Sequence, residues 1–403
     1  MPDEARALTR HSYREVGAAV GGIGEIHRAI AQRAFGASGP GARPAQAIHD
    51  AVARTAYAAV REGALLVGRG AEAAVGARLA DRPLSRTARG ALALGALNGL
   101  IGDALEAEGS ELAQPMGVRV GGEVVPPEAA ALAAAFPDAG PRIVVFLHGL
   151  METEFAWRYG AGLDGEAYGE RLRRDLGLTP VEVRYNTGRH ISQNGRSLAE
   201  LLEQVVAEWP VEVERIALVG HSMGGLVARS ACHHAAGQDA AWVRRVRHIV
   251  SLGSPHLGAP LAQAVHVASS LLGTVPETRA FGALLRRRSA GIRDLRHGSL
   301  VDADWHGRDP EALRAAACQE VPLLEGATHC FITATITGSP RHPVGRLVGD
   351  WLVLQPSGSG RSRRRRIPFR DEDGLHVGGA HHLALLNHAQ VYAKLREWLA
   401  ADA

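Results

Sequence analysis

The stretch "RIALVGHSMGGLVARSA" at 215–231 constrains this chain more than any other. An apolar strand pattern runs straight into Gly220-His221-Ser222-Met223-Gly224, and a helix pattern runs straight out of it. Turning from strand to helix within one residue forces Ser222 into a strained backbone conformation that only small neighbours tolerate. Gly220 and Gly224 supply that room, and Gly225 and Ala228 let the helix approach the sheet. Ser222 is then left at the carboxyl end of a strand and at a helix N-terminus, whose amides stabilise an anion. The spacing G-x-S-x-G is that of a nucleophilic serine on such a turn. In a chain with 48 glycines the five residues alone are weak evidence, so the strand before and the helix after carry the weight.

Runs of the same texture surround it. "PRIVVFLHG" (141–149), "VEVRY" (181–185), "HIVSLG" (248–253) and "CFITATIT" (330–337) are short, apolar and stopped by turn or polar residues, as strands covered on both faces are. Helical stretches at 165–176, 198–208 and 225–236 separate the earlier strands. This alternation predicts an α/β fold with a mostly parallel sheet between helices. "MGVRVGGEVV" (116–125) reads as a hairpin about Gly121-Gly122. Residues 256–320 interrupt the alternation and read as an inserted cap. Residues 1–112 read as an N-terminal helical segment ahead of the main domain at 113–403. Val16, Val20, Ile23, Ile26 and Ile30 share one helical face, Ile48, Val52, Ala56 and Val60 another, and a further helix is expected over 86–108.

Composition narrows the class. The chain of 403 residues is 46% hydrophobic and 22% charged, the balance of a globular protein. Its start is charged and lacks the apolar core of a signal peptide, and no apolar run reaches the roughly 20 residues that span a bilayer. A cytoplasmic location is the expectation. Cys232, Cys318 and Cys330 are too few and too scattered for a disulfide framework or a zinc site. The net charge is +3, Lys394 is the only lysine, and the Arg richness accompanies Ala and Gly richness, so no nucleic-acid partner is expected.

A serine nucleophile in acyl transfer needs donors for the developing oxyanion. "FLHGL" ends its strand on His148-Gly149, where the backbone can turn an amide toward the serine. The backbone N–H groups of Leu150 and of Met223, the residue after the nucleophile, are the candidates. Taken together, "FLHGL", "VGHSMGG", "SLGSPHLGAP", "VGDWLVLQPS" and "HHLALLNHAQVYAKLREWL" resemble the lipase and esterase branch of the α/β-hydrolase family over residues 114–400. "YNTGRHISQNGRSLAELL" (185–202) further resembles bacterial members related to hydrolases of the GPI inositol-deacylase type.

The resemblance implies a triad in the chain order Ser, acid, His. It points to Asp350, in a "GD-x-L-V" turn after the last long strand, as the acid, with Asp302, Asp304 and Asp309 as rivals. These three could also form a carboxylate cluster for a cation. The base is expected before the final helix, where His381, His382 and His388 crowd together. The family's "H-x-x-L-L" arrangement selects His382, with His381 next, while His388 falls inside the expected helix.

The implied activity is ester hydrolysis through Ser222, Asp350 and His382, with no metal or cofactor. The substrate would be a small-molecule or lipid acyl ester. Thioester or amide hydrolysis with the same triad, or an idle hydrolase fold serving as a binding module, are the alternatives. The apolar segment 261–275 reads either as cover for an acyl pocket or as a core helix. "RSRRRR" (361–366) reads as a solvated loop, or as a peripheral contact with anionic lipid headgroups. Oligomeric state is not encoded in any of these features.

Overall fold

The computed structural model describes residue 46 and residues 84–161, 166–259, 288–309, 318–339, 341–362 and 365–400. The expected helical faces at 16–30 and 48–60 and the segment 261–275 lie outside the described residues.

Eight strands form one sheet: β1 (Gly117–Val120), β2 (Glu123–Val125), β3 (Arg142–Leu147), β4 (Thr179–Arg184), β5 (Arg215–His221), β6 (Val246–Leu252), β7 (Thr328–Thr335) and β8 (Gly374–Gly378). Their order across the sheet is β2-β1-β4-β3-β5-β6-β7-β8. β1 runs antiparallel to both β2 and β4, and every pairing from β4 to β8 is parallel. Gly121 and Gly122, with φ of 58° and 88°, make the two-residue hairpin turn whose twist matches its strands.

The apolar runs of the central strands bury both faces. Val145, Leu147, Ile216 and Leu218 join one core with Leu198, Leu202, Leu226 and Val227 from the helices Ile191–Ala207 and Met223–Gly237. Val144, Phe146, Ala217 and Val219 join a second core with Tyr168, Leu172, Val391 and Leu395 from the helices Tyr168–Leu176 and Ala389–Ala400. Each large apolar side chain here contributes roughly 1.5–3 kcal/mol on burial, so the sheet centre is a firmly fixed platform.

Three elements depart from the sequence reading. The helix expected from residue 198 begins at Ile191, because Gly195, a poor helix former, lies against Ser230, where a Cβ would meet the Ser230 Cβ at 2.6 Å. Close packing there outweighs propensity. The edge strand β8 has only Val377 buried and no apolar run to announce it. The final helix is split into a 3-10 turn, His382–Asn387, and an α-helix, Ala389–Ala400, with His388 between them. Asn387 is tied to the carbonyls of Trp157 and Tyr159, and the His388 amide donates to the Tyr168 hydroxyl, so outside partners interrupt the helix at that point.

Before the sheet, the helix Ala88–Ala107 is capped by Thr87, whose hydroxyl accepts from the Gly90 amide at 3.1 Å. Gly95, Gly99 and Gly102 fall on one face of it and touch Glu152, Met151 and Asn186. It thus packs on the loops that leave β3 and β4. No helix among the described residues is long and apolar enough to cross a membrane.

Candidate active site

β5 delivers Ser222 into the left-handed region, at φ 52° and ψ −118°, and the helix Met223–Gly237 starts at once. The Ser222 amide is held by the Leu252 carbonyl at 2.8 Å. The neighbouring glycines have no space for a side chain. A Cβ on Gly220 would overlap the backbone of Gly224 and Gly225, and one on Gly224 would overlap the Leu147 carbonyl and lie 2.8 Å from that of His148. The elbow and the end of β3 are therefore in backbone contact.

The loop after β3 is built around His148. Burial pushes its pKa down to about 4, so the ring is neutral. One ring nitrogen lies 3.0 Å from the Gly149 carbonyl, the other accepts from the Tyr185 amide, and the Tyr185 hydroxyl donates to the His148 carbonyl at 2.6 Å. Gly149 packs against the elbow, since a Cβ there would lie 3.0 Å from Ser222 Cβ. Met151 has a positive φ of 62°, and its amide donates to Thr187. The Leu150 amide makes no backbone hydrogen bond among the described residues, and the Met223 amide opens the helix Met223–Gly237.

Asp350 and His382 come together from the two sides of β8. His382 Nδ1 lies 2.7 Å from Asp350 Oδ2, and the His382 amide donates to the Asp350 carbonyl at 2.9 Å. The other carboxylate oxygen accepts from the amides of Leu352 and Val353. Both side chains are buried. Burial disfavours a charged His382, but the Asp350 charge and hydrogen bond, joined by the Glu152 charge, outweigh it and raise the pKa. His382 Nε2 is buried without a hydrogen-bond partner, Ser222 included. A bond of this kind is often long in an unliganded site and tightens around substrate. His382 nevertheless borders the elbow strands: a Cβ on Gly253, which follows β6, would sit 3.0 Å from its Cε1.

Of the four non-glycine residues with positive φ among the described residues, Met151, Ser222 and Trp351 adjoin these groups. Strain of this kind persists only where surrounding structure enforces it, and it concentrates at functional sites.

The rival residues go elsewhere. His381 caps the 3-10 turn, and burial lowers its pKa. The His388 ring accepts from the Gln390 amide. Asp302 pairs with Ser192 and Arg196, and Asp304 accepts from the amides of Leu300, Val301 and Gln319. Among the described residues no group of three or more His, Cys, Asp or Glu could hold a metal ion. Of the Arg run, Arg361 is bound to Asp371, and Arg361 and Arg366 form an isolated β-bridge. A cleft of about 480 Å3 between the β1–β2 hairpin and the helix Ile191–Ala207 includes none of Ser222, Asp350 and His382.

Two pairs escaped the sequence reading. Glu152 Oε2 accepts from the Gly149 amide at 2.6 Å and lies 2.9 Å from His221 Nδ1. Two residues on, Glu154 and Arg184 form a fully buried, two-pronged ion pair, and Arg184 also binds Gln114 and the Ser85 carbonyl. Neither carboxylate sits in a motif, and each partner is remote in sequence.

Residues 142–308 match the model of the PGAP1-like alpha/beta domain. No curated protein matches the chain. Among solved structures, a Staphylococcus hyicus lipase is similar at 14% identity over 65% of this chain and 95% of its own, with a TM-score of 0.36. A lipase-esterase related protein from Clostridium acetobutylicum is similar at 12% identity over 64% of this chain and 95% of its own, with a TM-score of 0.35. A Pyrococcus furiosus esterase is similar at 14% identity over 65% of this chain and 82% of its own, with a TM-score of 0.35. Residues 142–308 are thus similar to a PGAP1-like alpha/beta domain, and the eight-stranded, mostly parallel sheet has the arrangement expected of an α/β-hydrolase fold.

Proposed function

We propose that this protein is a serine ester hydrolase. Ser222 Oγ attacks the ester carbonyl while its proton passes to His382 Nε2, and Asp350 holds the other ring nitrogen and balances the imidazolium. The Leu150 and Met223 amides receive the oxyanion. Collapse of the tetrahedral species expels the alcohol, which takes the proton from His382. Water, activated by the same imidazole, then hydrolyses the acyl-enzyme. The observation that carries this reading is the 2.7 Å pairing of His382 with Asp350, which leaves Nε2 unbonded, in a chain whose Ser222 holds a strained turn between strand and helix. The chemistry asks for no cofactor. The apolar sequence at 261–275 favours an ester with a hydrophobic acyl chain, at a membrane or lipid surface or free in solution.

The test is hydrolysis of p-nitrophenyl esters from two to sixteen carbons by the wild type, Ser222→Ala and His382→Ala. Loss of about 10³-fold or more in both variants, with an optimum in chain length, is the expected result. Full activity in Ser222→Ala would refute the proposal. Retention in His382→Ala alone would move the base to His381.

A further inference from the structure

The Glu152–His221 pair faces three parts of the candidate site at once. Glu152 belongs to the loop after β3, His221 is the last residue of β5, and His221 Nε2 lies 3.3 Å from the His382 carbonyl. Both ring nitrogens of His221 therefore face acceptors: a carboxylate on one side and a carbonyl on the other. A neutral imidazole carries one N–H and can satisfy one of them; only the doubly protonated ring satisfies both. The ring is wholly buried, with the edge of Trp157 against it at 6.5 Å and the His382 ring at 4.7 Å. Replacing such a pair with apolar residues would commonly cost a fold nothing, so its presence calls for a use.

We propose that Glu152 and His221 form a buried carboxylate–imidazolium couple, a second positioning pair that locks the oxyanion loop to the nucleophile elbow and to the loop bearing His382. The inference rests on the hydrolase reading for its consequence, though not for its geometry. Glu152 fixes the Gly149 amide, and so sets where the next amide, that of Leu150, points. His221, the residue before Ser222, holds the His382 backbone through its carbonyl. The couple thereby ties together oxyanion donor, nucleophile and base, which the chain supplies from three separate loops. Its net neutrality matters: an unpaired carboxylate this close would oppose the oxyanion. The groups facing His382 are Asp350 from the loop after β7, Glu152 from the loop after β3, His221 from the elbow, and His381 beside it. Glu152 favours the charged form of His382, so its removal makes that ring easier to deprotonate.

The first experiment follows the rate at which a fluorophosphonate labels Ser222 against pH, in the full-length wild type and Glu152→Gln. A slip of about 1 Å in the donor slows the step about 10²-fold, and the acid limb moves to lower pH. An unchanged rate and an unchanged limb would overturn the proposal. A slower rate with an unmoved limb, and a His221 ring found neutral, would reduce the pair to ordinary packing and overturn it as well. The second measurement is nitrogen NMR of histidine-labelled wild type at pH 8, with His221 assigned by the signal missing from His221→Asn. Two protonated ring nitrogens are expected, and a neutral ring refutes the couple even if Glu152→Gln fails to fold. Absence of labelling in the wild type would sink the hydrolase reading instead, and the NMR result would still decide the couple.

Discussion

Two turns meet at the candidate site, and they are held in different ways. The elbow at Ser222 and the loop at Met151 both carry a non-glycine residue at positive φ, 52° and 62° respectively. The elbow is held by close backbone packing of small residues: Gly220 packs on Gly224 and Gly225, and Gly224 packs on the end of β3. The Met151 loop is held from a distance. Its clamps are Glu152 on His221, Glu154 on Arg184, Thr187 on the Met151 amide, and the glycine face of the helix Ala88–Ala107. A turn held by small residues yields only to bulk, whereas one held by charges and a docked helix yields piece by piece.

Bulk at the elbow is accordingly the harshest test of this contrast. Gly224→Val puts carbons onto the Leu147 carbonyl, in a central strand that cannot retreat. A loss of about 3 kcal/mol or more is expected, visible as a collapse of the urea midpoint or as insoluble protein. A stable, active Gly224→Val would mean that the elbow is as adjustable as the loop.

The next effect belongs to the loop. Arg184→Met leaves the Glu154 carboxylate buried and unpaired, at a cost of about 3–5 kcal/mol. It also removes the bonds to Ser85 and Gln114, so the helix Ala88–Ala107 should become sensitive to protease before the sheet does. The double variant Arg184→Met with Glu154→Leu should recover much of the urea midpoint without restoring protection of that helix. If it restored both, packing alone would hold the loop.

A milder version addresses the helix directly. Gly99→Ala places its methyl against the Met151 side chain and 3.1 Å from the Met151 backbone. About 1–3 kcal/mol of stability should be lost, with ester hydrolysis slowed more than in a surface variant of equal stability. Equal slowing in both would separate the helix from the loop's function.

The same contrast explains what the sequence made legible. Buried parallel strands write continuous apolar runs, so β3 to β7 could be read directly, as could the elbow, whose glycines are adjacent in the chain. β8 could not be read: its partner β7 and the sheet edge define it, and its own residues are hardly buried. Asp350 and His382, the expected acid and base, lie in contact, yet the expectation came through family resemblance and not through any local pattern. Glu152 had no such help, because its partner His221 is 69 residues away and reads as a filler position within G-x-S-x-G. Groups held by remote charges leave no local signature, and the loop at Met151 is flanked by two of them, Glu152 and Glu154.

The smallest effect expected is one of pH, and it concerns His382. In the proposed mechanism His382 must be neutral at Nε2 to accept the Ser222 proton. Burial lowers its proton affinity, yet the Asp350 charge and hydrogen bond, with Glu152, hold the pKa above its ordinary value of 6.5. The acid limb of kcat/KM should therefore have its midpoint above 6.5, and Asp350→Asn should bring that midpoint down while greatly slowing the reaction. Stability follows with a defined sign. The folded protein holds the His382 proton more tightly than the unfolded chain does, so this contribution is fully present below the unfolded value. It fades as pH rises through the folded one. The urea midpoint should fall gently across that window in the wild type, and the fall should be absent in His382→Gln. A steeper fall in the wild type that survives His382→Gln would assign the dependence to another group, with the Glu152–His221 couple the first to examine.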